Sequence, residues 1–222
     1  MSYKTLPITL LDFETGGYDA RINAVTEVAA ITFDSESFEE IARYEAILKP
    51  YNDDLIYEPD ALSFTGISME MLNKGIDFKT FSKEFPAFLK KSNPHSHPKY
   101  RTIIAGHNVT FDVPFLQQLM FFMGKKIEDY FNSYVDYYGN QQPKVFDTLQ
   151  LTMIKWPEML KHTLADGINK AGFELVQAHR AMNDVKANVE LLKVFIKSLK
   201  NEGMTMADVI SEERPFREIF KF

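Results

Sequence analysis

The chain has no cysteine, one tryptophan among 222 residues, and no excess of positive charge. Without cysteine there are no disulfides and no thiolate metal sites, which fits a reducing compartment. No apolar run approaches the roughly 20 residues that a membrane-spanning helix needs. The N-terminal run from Leu6 to Leu11 is short and is followed at once by Asp12 and Glu14, so no signal peptide is expected. These absences predict a soluble, cytoplasmic protein with no membrane partner. Lys+Arg 25 against Asp+Glu 31 gives a net charge of -6. That balance argues against a tight, sequence-independent duplex binder, which would spread basic residues over a broad face and release counterions. A nucleic-acid enzyme stays open, because clustered carboxylates neutralised by cations add to the negative count and a short strand end needs few phosphate contacts. Lys90, Lys91, Lys99, Arg101, Lys125, Lys126 and Arg180 are available for such contacts. Each of them, taken singly, reads as an ordinary solvated charge.

What is present is apolar material for one sizeable core, 45% of the residues. One domain is expected over residues 1–200, with 201–222 a helical tail packed on it or extending it. Apolar runs at Ile8–Phe13, Ala24–Phe33 and Ala42–Leu48 predict three neighbouring strands. Pro50–Gly66 reads as loop, and Ser68–Lys91 as helix interrupted near Gly75–Asp77. Arg101–Ala105 reads as a short buried strand ending at Gly106, and Thr110–Met123 as a helix capped by Thr110. Val145–Leu149 predicts a last strand. Helices follow at Asp147–Lys155, Thr163–Ala171 and Ala181–Lys200, and Thr205–Asp208 fits the capping box of one more. Strands first and then strands alternating with helices indicate an α/β domain with a mixed sheet.

Five residues in three distant stretches carry the chemistry. Asp12 and Glu14 stand at i and i+2 on a strand, so both carboxylates leave the same face, while Phe13 faces the core. Asp112 falls in the first turn of its helix, one turn before Leu116, and faces inward; for an Asp taken in isolation, service to the helix dipole is the better reading. Asp184 shares a stripe with Leu191 and Phe195 on the inner side of the last long helix. A buried unpaired carboxylate is costly, and metal coordination removes the cost. His179 and Asp184 at i and i+5 would lie about 140° apart on a regular helix. His179 can therefore join the carboxylates only from a loop ahead of the helix, where an imidazole has the pKa range of a general base. Asp and Glu oxygens suit Mg²⁺ or Mn²⁺, and a paired ion site can hold both the attacking and the leaving oxygen of phosphodiester hydrolysis.

These stretches resemble the three motifs of the DEDDh 3′-to-5′ exonucleases, the RNase H-like group that includes the epsilon subunit of DNA polymerase III, RNase T and oligoribonuclease. Asp12–Gly16 matches Asp-x-Glu-Thr-Gly, His107–Asp112 matches His-Asn-x-x-Phe-Asp, and His179–Asp184 matches His-x-Ala-x-x-Asp of the His branch. Gly16-Gly17 departs from the Thr-Gly common in the epsilon group. Ala61–Ser68 and Val145–Leu149 echo the family's Gly-Ile and Asp-Thr-Leu segments, so the resemblance runs over roughly residues 6–199. It implies an RNase H-like mixed five-stranded sheet flanked by helices. It also implies two divalent cations, Mg²⁺ or Mn²⁺, one held by Asp12, Glu14 and Asp184 and a second bridged by Asp12 and supported by Asp112, with His179 taking a proton. Thr15, His107 and Asn108 become candidates for the terminal nucleotide, with a turn or cap role an equal alternative. The implied substrate is a single-stranded 3′ end, DNA in proofreading or repair. Trimming of short RNA is the alternative, and a non-catalytic binding module on the same fold a more distant one.

Two segments fall outside this pattern. Gly124–Lys144 is long and carries Tyr130, Phe131, Tyr134, Tyr137 and Tyr138; it reads as a surface helix packing its aromatics locally, with base stacking, a lid or subunit pairing as alternatives. Arg214–Phe222 holds three Phe that would dock on a polymerase or a second subunit, or close the domain's own core. His95-x-His97 reads as a solvated loop rather than a zinc site, and His162 as structural.

Overall fold

The computed structural model describes residues 6–95, 97–174, 180–201 and 203. Strands β1 (Pro7–Thr15), β2 (Val25–Asp34) and β3 (Glu40–Ile47) form an antiparallel meander. After helices α1 (Pro59–Thr65), α2 (Met69–Lys74) and α3 (Phe78–Lys91), β4 (Ile103–Gly106) joins β1 in parallel. Helix α4 (Asp112–Phe122) and a small hairpin, β5 (Ser133–Val135) with β6 (Gln141–Pro143), lead to β7 (Val145–Asp147), which pairs in parallel with β4. Helices α5 (Thr148–Lys155), α6 (Leu164–Lys170) and α7 (Ala181–Asn201) complete the described part. The sheet order is β3-β2-β1-β4-β7, the mixed five-stranded sheet expected.

Alternation along the central strands builds two cores. Ile8, Leu10, Ala29, Ile31 and Phe33 face Val185, Leu192, Phe195 and Ile196 of α7. Leu11, Phe13, Val28 and Ala30 face Phe81 and Phe85 of α3 and Phe115, Leu116 and Leu119 of α4. Buried hydroxyls on that second face satisfy one another, Thr9 with Thr32 and Thr102 at 2.7 Å each and Thr32 with Ser92 at 2.6 Å. The central strands are buried on both faces, so they read as nearly continuous apolar runs.

The site is positioned by strand lengths. Pairing between β1 and β4 runs only from Ile8↔Ile103 to Leu10↔Ala105, after which β4 stops at Gly106. The last residues of β1 therefore extend past their parallel neighbour. In an open α/β sheet the carboxyl end of such strands is where ligand crevices form.

Four expectations need correction. The 50–66 segment is not all loop, because Pro59 starts α1 and Gly66, at φ 68, ends it in the left-handed conformation a glycine adopts without strain. Thr110 does not cap α4; its hydroxyl bonds the Asn108 side chain at 3.4 Å, and α4 begins only at Asp112. The 124–144 segment is not a surface helix. Tyr130 and Phe131 are core residues, and beyond them the chain turns back as the β5–β6 hairpin, with Asp136 accepting the N–H groups of Tyr138 and Asn140 and Tyr137 and Tyr138 exposed at the tip. The last strand ends at Asp147, whose carboxylate caps α5 through Leu149 N–H at 3.0 Å. The expected helix at Thr205–Asp208 and the tail 214–222 lie outside the described residues.

Candidate active site

Asp12 and Glu14 leave β1 on the same face as Leu10, toward α7, and a bulge follows directly between Glu14 and Thr15. Such irregularities end regular pairing and redirect side chains next to functional sites. Beyond the bulge Gly16 packs against the Ile56–Tyr57 backbone, where an added Cβ would stand 2.7 Å from the Ile56 carbonyl oxygen. The loop back to β2 is then fixed from outside, with Gln118 donating to the carbonyls of Ala20 and Asn23 at 2.6 and 2.8 Å.

Asp184 sits in the first turn of α7. One carboxylate oxygen from each of Asp12, Glu14 and Asp184 lies within 4.8 Å of the others. The fourth carboxylate, Asp112, is 4% exposed and its Oδ1 accepts the Phe13 backbone N–H at 3.1 Å. That N–H belongs to the part of β1 that pairs with β2 but extends past its pairing with β4, and Asp112 reaches it from the start of α4. Asp112 thus does more than complement its own helix dipole.

Burial is the first cause of unusual acidity here. Asp12 is pushed well above the ordinary carboxylate range by burial, then by the charges of Asp112, Glu14, Asp184 and Glu27. Glu14 is raised to about 7 by burial, Asp184 and Glu27, with Arg180 opposing. Asp112 is raised to about 8 by burial, against the N–H bond from Phe13. Carboxylates so close together cannot all be charged near neutral pH without a compensating cation. Hard oxygen donors held this way fit Mg²⁺ or Mn²⁺.

His179 lies outside the described residues. The helix that follows it begins at Ala181, and the Arg180 carbonyl accepts the N–H groups of Asn183 and Asp184 at 2.8 and 3.1 Å, which places Arg180 at the helix cap.

The three nucleotide-contact candidates are engaged in different ways. Thr15 is 7% exposed and donates its hydroxyl to the Gly17 carbonyl at 2.6 Å. Both ring nitrogens of His107 are engaged, Nδ1 with the Thr148 hydroxyl at 3.1 Å and Nε2 with the His162 carbonyl at 2.9 Å. Burial holds the His107 imidazole below its usual pKa. In this geometry Thr15 and His107 tie loops to the fold. Asn108 is exposed, at φ 63, with its N–H on Asp147 at 2.9 Å and its Oδ1 accepting the Thr110 hydroxyl at 3.4 Å.

Two buried acids were not read from the sequence as part of the site. Asp147, 8% exposed, latches the 107–111 loop through Asn108 and caps α5 with the same oxygen. Glu27 lies directly across from Glu14 in the β1–β2 register, its side chain 1% exposed, and pairs with Arg180 at 2.9 Å. The one available signal was a single acid inside the apolar run Ala24–Phe33; the pairing register that puts it opposite Glu14 is not visible in the sequence.

Curated relatives at this level of similarity include the PolC-type DNA polymerase III of Bacillus subtilis, 26% identical over 203 residues, which cover 91% of this chain and 12% of that one. The epsilon subunit of DNA polymerase III from Treponema pallidum is 26% identical over 87% of this chain and 78% of its own. The chain spans about an eighth of the length of the PolC-type relatives. Among solved structures, Escherichia coli exonuclease I in complex with a dT13 oligonucleotide superposes with TM-score 0.68 at 21% identity, covering 89% of this chain and 42% of that one. The nuclease domain of 3′hExo, a DEDDh family member bound to rAMP, superposes with TM-score 0.64 at 14% identity, covering 89% and 94%. These likenesses show the fold. The family model for the RNase T exonucleases matches residues 9–192, and the chain belongs to that family.

Proposed function

We propose that the protein is a 3′-to-5′ exonuclease that uses two divalent cations, Mg²⁺ or Mn²⁺, to release nucleoside 5′-monophosphates from single-stranded DNA 3′ ends, in proofreading or repair. The observation that carries the reading is the meeting of Asp12, Glu14 and Asp184 oxygens within 4.8 Å, with Asp112 bonded beside them to the strand that bears the first two. When bound, the cations would supply Lewis acidity and positive charge to an in-line displacement at phosphorus. Asp12, Glu14 and Asp184 would hold one of them, and Asp12 with Asp112 the other. His179, just ahead of α7, is assigned the role of taking a proton from the attacking water. Thr15 and His107 would shape the floor of the terminal-nucleotide pocket by fixing their loops, and the exposed Asn108 side chain would meet the nucleotide itself.

A DNA substrate is supported by the relatives named DNA polymerase III and by the oligodeoxynucleotide in the exonuclease I structure. A single-stranded end is supported by the net charge of -6. The relatives' names also support a polymerase as partner, with a homodimer as the other arrangement in view. The rAMP bound to the structurally similar 3′hExo supports a second reading, trimming of short RNA 3′ ends.

A panel of 5′-labelled single-stranded DNA, RNA, duplex and mismatched duplex, with and without Mn²⁺, separates these readings. Metal-dependent shortening is expected fastest on single-stranded DNA, with mismatched duplex ahead of matched duplex. Faster shortening of RNA would move the assignment to RNA trimming, and no shortening of any substrate would leave the binding module.

A further inference from the structure

The described part of α7 begins beside a carboxylate that comes from a strand more than 150 residues earlier. Glu27 of β2 accepts from Arg180 Nη2 at 2.9 Å, from Arg180 Nε at 3.4 Å and from the backbone N–H of Ala181 at 3.4 Å. It therefore binds the guanidinium as a fork and also takes one of the N–H groups that a helix start leaves unsatisfied. Its position is otherwise unfavourable: it is buried, and it stands directly opposite Glu14, where like charges repel across a strand pair. Arg180 compensates, being attracted to Glu45 and Glu14 as well as to Glu27. A buried charge kept in such a place needs its partner, and the partner here is the residue that begins the helix carrying Asp184.

We infer that Glu27 is a positioning residue: through Arg180 and Ala181 it sets the start of α7 on the sheet, and with it the placement of Asp184 against Asp12 and Glu14. The inference rests on the exonuclease reading for its effect on rate, and on the carboxylate cluster alone for its effect on cation binding. Two explanations compete. One is charge balance alone, under which any cation at position 180 would serve. The other is geometry, under which the planar fork is required and a lysine cannot replace it. Arg180 is 43% exposed and borders a cleft of about 420 Å³ that also reaches Lys74, so a lysine there has room and solvent.

The test compares the wild-type protein with Glu27→Gln and Arg180→Lys, measuring Mn²⁺ affinity by calorimetry and kcat and KM on a single-stranded oligonucleotide. Both variants are expected to weaken Mn²⁺ binding by about fivefold or more and to lower kcat by about tenfold or more, with KM for the oligonucleotide within about twofold of wild type. If Glu27→Gln fails to fold, Arg180→Lys decides alone. Wild-type Mn²⁺ affinity and kcat in Arg180→Lys would overturn the inference in favour of charge balance, and a change confined to oligonucleotide KM would overturn it in favour of a direct phosphate contact. If the wild type itself binds Mn²⁺ but cuts nothing, the exonuclease reading fails, and weaker Mn²⁺ binding in both variants still upholds the positioning role.

Discussion

Asp12→Asn is expected to abolish metal-dependent release of mononucleotides while making the metal-free protein more resistant to heat at pH 8. The two effects have one cause. Asp12 lies among Asp112, Glu14, Asp184 and Glu27, each of which disfavours its charged form. Its ionised state is useful only with a cation present, and without one it repels its neighbours. The neutral isostere keeps the shape, removes the repulsion, and removes a ligand common to both proposed cations. Losing several kcal/mol of charge stabilisation, at about 1.4 kcal/mol per tenfold, corresponds to about 10³-fold or more in rate. A residue with a merely structural role would lose stability and activity together. Melting curves of metal-free wild type and Asp12→Asn, paired with a nuclease assay in Mn²⁺, check both directions. A variant that is inactive and also markedly less stable would point to misfolding instead.

Metal-free wild-type protein is expected to lose stability between about pH 5 and pH 8, and Mn²⁺ is expected to restore it most at the upper end. Burial and neighbouring charge push Glu14 up to about 7 and burial pushes Asp112 up to about 8 in the folded protein, against ordinary values of 4.5 and 3.8. Between the unfolded and folded values the folded state holds more protons than the unfolded one, so stability falls as pH rises through that window. The stabilising contribution is complete below about pH 4, where both states are protonated. It is lost once Glu14 and Asp112 ionise in the folded state. Cation binding displaces those protons, so Mn²⁺ affinity should climb over the same window. Scanning calorimetry at pH 5.5, 6.5 and 8, with and without Mn²⁺, reads this directly. A shift in Tm on adding Mn²⁺ that is equal at all three values would show that these carboxylates are not the ligands.

Asp12, Glu14 and Asp184 were legible in the sequence because each followed a short-range rule. Asp12 and Glu14 share a face because the strand period is two, and Asp184 lies inward because it shares a stripe of α7 with the buried Leu191 and Phe195. The apolar runs of β1 and β2 located the sheet for the same reason. What stayed hidden depends on pairs far apart in the chain. Asp112 is distinguished from an ordinary helix-end acid by a bond to Phe13, 99 residues away, which exists because β4 stops at Gly106. Glu27 belongs to the site through its register with Glu14 and its bond to Arg180, 153 residues on. For His107 the sequence leaves a nucleotide contact and a turn or cap role equally open, because the groups that engage its two nitrogens, Thr148 and the His162 carbonyl, are brought near only by α5 and the loop after it. The 124–144 aromatics were misread for a related reason: Phe131 is core because it bridges to Thr102 at the foot of β4, a contact no local pattern encodes.

The most direct test compares a 5′-labelled linear single-stranded DNA with the same strand closed into a circle, each incubated with the protein and Mn²⁺. A crevice at the strand ends that accepts a terminal nucleotide and cuts behind it should shorten the linear strand one nucleotide at a time, release nucleoside 5′-monophosphates, and leave the circle intact. Cutting of the circle, or a linear strand untouched in Mn²⁺, would contradict the account.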